Sequence, residues 1–282
     1  MKTAAHPALR LAALALCYLP VAFAVGVIAS ADAAAPAPAA AAAPAPVDAQ
    51  AALAESDRIR NPSKPFSITV SLTEYTQGRQ TDGNSLQVWS RAEAGSGQFR
   101  SLIRMVAPAR DANKLMLKTG NDLWFHDPAS QASIRISPQQ RLLGQAANGD
   151  VVTVNFAQGY KAKFEAEEDV QDGDRQSRHA VKLSLEAVVP DVTYAAADMW
   201  LDAATHRPIK ARFYSETHRL LKTAFYRRYE DQLGGVRPTE IVIIDGVNAN
   251  LVTVMRYSDF TARDVPESWF QRDILARFQP EM

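Results

Sequence analysis

The sequence predicts a mainly β fold with few helices: a curved antiparallel half-barrel whose concave face is covered by helices. Three observations predict it. Apolar and polar residues alternate with a period of two over most of the chain, the pattern of strands with one buried face. Short turn clusters such as Asp82-Gly83-Asn84, Asp172-Gly173-Asp174 and Leu233-Gly234-Gly235 punctuate that pattern. Helical spacing is confined to the two ends and one central stretch. A sheet of about ten strands twists and curls, which leaves a concave side for helices to fill.

The chain begins with an export leader. Lys2 and Arg10 precede an uncharged run from Leu11 to Ile28, and small residues around Ala29 to Ala33 fit a cleavage site. Residues 1–33 are therefore expected to be a signal peptide, or, if uncleaved, a membrane anchor. Cys17, the single cysteine, lies inside the apolar run. The mature chain then has no thiol for disulfide, metal or redox chemistry. Residues 34–46 are an Ala/Pro-rich linker, extended by its prolines. Residues 47–282 form the folded domain. Basic and acidic residues balance at 31 each, which excludes the electrostatic footprint of a nucleic-acid partner.

In chain order, Val47 to Arg60 reads as a helix stopped by Asn61-Pro62. Phe66 to Tyr75 alternates Ile68, Val70 and Leu72 with Ser67, Thr69 and Ser71, and Leu86 to Arg91 returns beyond a turn at Asp82-Gly83-Asn84. Phe99 to Val106 is the next strand. Lys114 to Lys118 and Asp122 to His126 form a hairpin whose apolar face is expected to carry Leu115, Leu117, Leu123 and Phe125. Ser133 to Ile136 extends it. Ser137-Pro138 has the chemistry of a helix start, so a helix through Leu143 is expected, docked by Leu142 and Leu143. Val151 to Phe156, Tyr160 to Glu167 and His179 to Val188 read as strands, the last with Val181, Leu183 and Leu185 on one side. Strand and turn then alternate from Asp198 to Phe260, and Glu267 to Phe278 is expected to be a helix. The whole reads as one long meander of ten to twelve strands.

The order Leu102 to Pro108, Lys114-Leu115-Met116-Leu117-Lys118, Asn121-Asp122-Leu123-Trp124-Phe125 and Ile134-Arg135-Ile136-Ser137 resembles the outer-membrane lipoprotein-sorting-like proteins, relatives of the carrier LolA. So do Trp200-Leu201-Asp202, Pro208-Ile209-Lys210, Gly235-Val236-Arg237-Pro238-Thr239-Glu240 and Tyr257-Ser258-Asp259-Phe260. The resemblance implies a periplasmic protein that shields a lipid or a lipoprotein acyl chain in an apolar cleft. It also implies, as partner, an export permease of the resistance-nodulation type or an outer-membrane acceptor. The loop between Leu143 and Asp150 departs from relatives in lacking methionines and acidic residues.

Ile103, Met105, Leu115, Leu117, Leu123, Phe125, Leu142, Leu143, Val152, Val154 and Phe156 are the candidate lining residues. Each buried methylene contributes about 0.8 kcal/mol, so a long acyl chain would gain about 12 kcal/mol before ordering costs. No nucleophile elbow, phosphate loop or helical metal motif is present, so no catalytic residue, metal or cofactor is assigned. His126, His179, His206 and His218 fall at strand ends and turns and read as surface groups, and the tryptophans as anchors of the sheet. Two other functions stay open: an envelope sensor on the same fold, and an enzyme with a polar constellation in the cleft.

Overall fold

A computed structural model describes residues 47–279. The expected signal peptide and the linker lie outside the described residues. Helix α1 (Ala49–Arg60) starts where the Asp48 carboxylate accepts the Ala51 N–H at 3.0 Å. It buries Ala49, Ala52, Leu53 and Ser56, one stripe at helical spacing. Arg58 and Arg60 complement the negative end of its dipole.

The strands are β1 (Phe66–Thr76), β2 (Arg79–Ala92), β3 (Phe99–Ala107), β4 (Leu115–Thr119), β5 (Asp122–Asp127), β6 (Ala132–Arg135), β7 (Arg141–Leu143), β8 (Ala146–Ala147), β9 (Tyr160–Gln171), β10 (Ser177–Ala187), β11 (Ala196–Asp202), β12 (Pro208–Tyr214), β13 (Leu220–Gln232), β14 (Gly235–Asp245) and β15 (Leu251–Ala262). All but β7 and β8 join one 13-stranded antiparallel sheet in the order β6-β5-β4-β3-β2-β1-β15-β14-β13-β12-β11-β10-β9. The mainly β half-barrel is thus as expected, with a refinement. It is two meanders rather than one, joined where β1 pairs with β15 from Phe66↔Ala262 to Thr76↔Leu251.

Between the two meanders the chain crosses the concave face. Two expectations fail on this segment and a third at the β1–β2 turn. The stretch from Ser137 to Leu143 is not a helix: a turn closes from Gln140 N to Ser137 O at 3.2 Å, and β7 then pairs with β8. So short a helix does not repay its nucleation, and Gly144, at φ +54°, turns the chain instead. Val151 to Phe156 is not a strand. Side chains replace the ladder: Thr153 N donates to Ser101 Oγ, Asn155 N to Gln98 Oε1, and Val154 O accepts from Arg60 and Asn61. A single helical turn, α2 (Phe156–Gly159), leads into β9. The β1–β2 reversal lies at Gln77-Gly78 rather than at Gly83. Both residues have positive φ, 52° and 77°, the geometry whose twist matches paired strands. Asp82-Gly83-Asn84 continues as strand opposite Leu72 to Glu74.

The expected C-terminal helix is two 3₁₀ segments, Glu267–Phe270 and Arg272–Arg277, separated by extended Gln271. They lie on the opposite face of the sheet from α1. There Val265, Phe270 and Leu275 pack with Trp89, Leu102, Leu115 and Leu117. Trp89, Trp269 and Phe278 meet edge to face, with ring centroids 5.8, 5.6 and 4.8 Å apart. The main core fills the concave side, where the alternating sets Ile68-Val70-Leu72 and Val181-Leu183-Leu185 point together as expected. His126 is not a surface group: it is 2 % exposed and its Nδ1 hydrogen-bonds Ser133 Oγ at 2.9 Å.

Candidate functional site

A cavity of about 470 Å³ lies between the concave sheet and its cover. That is within the range of about 300–1,000 Å³ typical of sites for one small ligand. Its floor comes from inward positions of neighbouring strands. Phe213 on β12, Ala224 and Tyr226 on β13, Ile241 and Ile243 on β14, and Met255 and Tyr257 on β15 line it, with Phe66 and Ile68 of β1. The pairings Ala224↔Ile243, Tyr226↔Ile241 and Ile241↔Met255 place these side chains on one surface. Arg60 at the end of α1, with Val152, Val154 and Phe156 of the crossing segment, forms the cover. Lys118 on β4 and connections carrying Glu93, Gln98, Asn121 and Asp191 edge the cavity.

The cover is fastened at both sides. Near β2 and β3, Ser90 Oγ lies 3.0 Å from Ser101 Oγ and 2.7 Å from Thr153 Oγ1. On the far side the Lys222 ammonium pairs with the Asp150 carboxylate and donates to Gln145 O at 2.9 Å. Asp150 also accepts from Tyr194 OH and from Ala147 N, each at 2.7 Å. Burial, with the neighbouring Asp150 charge and hydrogen bond, holds the Tyr194 phenol well above its ordinary value. Tyr160 OH donates to Tyr194 O at 2.8 Å, and burial pushes its phenol up too.

A second polar group sits by α1. Arg60 uses Nη2 to reach Asp57 and Val154 O, and its guanidinium lies 4.5 Å over the Phe156 ring. Burial, the largest single influence, lowers its pKa, but the Asp57 charge and hydrogen bond together with Tyr226 and Tyr257 hold it raised. Lys118 at the edge is pulled down by burial, against the attraction of Asp122 and Asp191.

Of the residues expected to line a cleft, Leu123, Val152, Val154 and Phe156 line this cavity. Ile103, Met105, Phe125, Leu142 and Leu143 pack in the core on the same side of the sheet without reaching it. Leu115 and Leu117 face the other way, beneath the C-terminal segment. The hairpin register explains the split. Thr119↔Asp122 leaves a two-residue loop, so Leu117 stands opposite Trp124 and Leu115 opposite His126, while Met116 shares a face with Phe125. Sequence reasoning missed Arg60, Asp150, Lys222 and the aromatic floor of β12 to β15. The period-two alternation there carried the signal for the floor; nothing local marked the polar groups. The four tryptophans, Trp89, Trp124, Trp200 and Trp269, all lie outside the cavity lining.

A protein-family model described as an uncharacterized protein matches residues 97–277. No curated protein matches the chain. Among solved structures, a LolA superfamily protein from Nitrosomonas europaea is 33 % identical, covers 81 % of this chain and 99 % of its own, and superposes with a TM-score of 0.72. A putative outer membrane lipoprotein-sorting protein domain from Vibrio parahaemolyticus is 18 % identical over 81 % of this chain and 98 % of its own, with a TM-score of 0.67. A DUF1329 family protein from Desulfovibrio piger is 20 % identical over 80 % and 97 %, also at 0.67. These last two share the fold. With its two meanders, covered concave face and one-third identity to the Nitrosomonas protein over nearly all of that chain, this protein belongs to the LolA superfamily.

Proposed function

We propose that this protein is a periplasmic carrier that binds a lipid, or an acyl chain of a lipoprotein, in the cavity under the crossing segment, and performs no reaction on it. The cavity with its apolar floor of Phe213, Ile241, Ile243 and Met255 carries this reading. Such a floor favours hydrocarbon by about 25 cal/mol per Å² of apolar surface removed from water. The export leader at residues 1–33 and the lipoprotein-sorting domain of the Vibrio relative support the same direction. An export permease or an outer-membrane acceptor is the partner the reading calls for.

Two measurements test it. Mass spectrometry of organic extracts from protein purified out of its native envelope is expected to find a lipid. The folded domain is expected to take up a fluorescent fatty acid saturably, and Ala224→Trp, which fills the floor, to abolish uptake with unchanged circular dichroism. Failure of the folded wild-type domain to take up any lipid overturns the reading.

A further inference from the structure

The cavity is apolar on its floor but not throughout, and its polar groups at the α1 end share one character. Tyr226 is buried and lines the cavity, and its hydroxyl has no acceptor among the described residues. The Tyr257 hydroxyl has only the Met255 sulfur, a weak acceptor, at 3.6 Å. Arg60 directs Nη2 to Asp57 and Val154 O, and its Nε has no partner among the described residues. The neighbouring carboxylate of Asp57 is already engaged, by Arg60 through one oxygen and by Ala157 N at 2.7 Å through the other. What lines the cavity here is two hydroxyls without a matching strong acceptor, beside a guanidinium paired with Asp57.

The strands bring these groups together. Tyr226 stands opposite Ile241, and Ile241 opposite Met255. Tyr257 follows two residues later on the same face of β15. Arg60 reaches the same space from the end of α1. The guanidinium is near enough to act on both phenols: burial pushes Tyr226 up to about 12 and raises Tyr257, and in each the Arg60 charge opposes the rise. Buried donors left unpaired are costly, so the arrangement suits a ligand atom that only accepts.

We infer that the ligand enters head first: a carboxyl-type acceptor, either a carboxylate or an ester carbonyl, is held by Arg60, Tyr226 and Tyr257 while its hydrocarbon lies along Ile241, Ile243 and Met255. The Arg60–Asp57 pair is neutral as a unit, which suits an uncharged ester carbonyl as well as an anion. This assignment rests on the lipid-binding reading above and adds the orientation and head chemistry to it.

The test is competition against phenylnaphthylamine, a fluorescent apolar probe without a carboxyl group. Hexadecanoic acid, its methyl ester and hexadecyltrimethylammonium are the competitors. Wild type is compared with Tyr226→Phe and Tyr257→Phe, which keep the rings and so the fold. Each lost hydroxyl is expected to weaken acid or ester binding about fivefold, the effect of one net hydrogen bond of about 1 kcal/mol, and to leave the trimethylammonium amphiphile unchanged. Weakening of the acid alone assigns a carboxylate; weakening of the ester, with or without the acid, assigns a carbonyl acceptor. Unchanged affinities, or equal losses for all three competitors, overturn the head-first orientation and leave hydrocarbon binding standing. If folded wild type binds neither probe nor competitor, the lipid-binding reading falls with it.

Discussion

Lys222 and Asp150 lie 72 positions apart and form an ion pair whose side chains are only 6 % and 12 % exposed. One sits on β13 of the second meander, the other on the segment that crosses the concave face. The pair therefore ties the cover to the floor at one end of the cavity.

Breaking that tie by half is expected to be worse than replacing it. Lys222→Met leaves a buried carboxylate with only Tyr194 and Ala147 N as partners, and should destabilise the domain by about 3 kcal/mol. Adding Asp150→Asn should recover part of the loss. Urea unfolding of the two variants measures both.

Stability and ligand uptake should separate across the sheet. Leu117 is fully buried on the face away from the cavity, so Leu117→Ala is expected to cost about 3 kcal/mol in unfolding free energy. Affinity for a fluorescent fatty acid, measured well below the melting temperature, should not change. A loss of affinity in the folded variant would show that the two faces are coupled.

At the cavity edge, Arg135 on β6 reaches Asp122 at 2.8 Å and Asp191 at 2.9 Å, bridging a sheet edge to the loop before β11. These side chains are about half exposed, so Arg135→Ala should change stability by less than about 1 kcal/mol. Stopped-flow release of bound ligand is expected to become severalfold faster, because Asp191 borders the cavity and loses its clamp.

Glu93 gives a pH signature. Hydrogen bonds from Arg100 and Ser96 hold its carboxyl below the ordinary value of 4.5. A folded-state pKa below the unfolded one makes the contribution complete above 4.5 and removes it as pH falls through the lower, folded value. The difference in urea midpoint between wild type and Glu93→Gln should therefore shrink on acidification and vanish in strong acid. A difference that persists there would assign the effect to packing.

Much of this architecture could be read before any coordinates. Alternation gave Ile68-Val70-Leu72 and Val181-Leu183-Leu185 as single faces, and Asn61-Pro62 marked the end of α1. It failed at Leu115 and Leu117, because alternation says which residues of one strand agree and not which face of the next strand they join. That is set by loop length: one residue more between β4 and β5 would have aligned Leu117 with Leu123. It failed again at Val151 to Phe156, where a β-favouring run finds side-chain partners in place of a neighbouring strand.

By itself the sequence determined most of the strands, most of their turns and which residues of a strand share a side, since these depend on residues two to four positions apart. Only the tertiary structure decided that β1 closes against β15, that the chain recrosses the concave face, and that Arg60, Asp150, Lys222 and Tyr226 meet around one cavity. Those outcomes depend on groups far apart along the chain. Local periodicity carries no record of such separations, and packing against the curved sheet selects among the arrangements it allows.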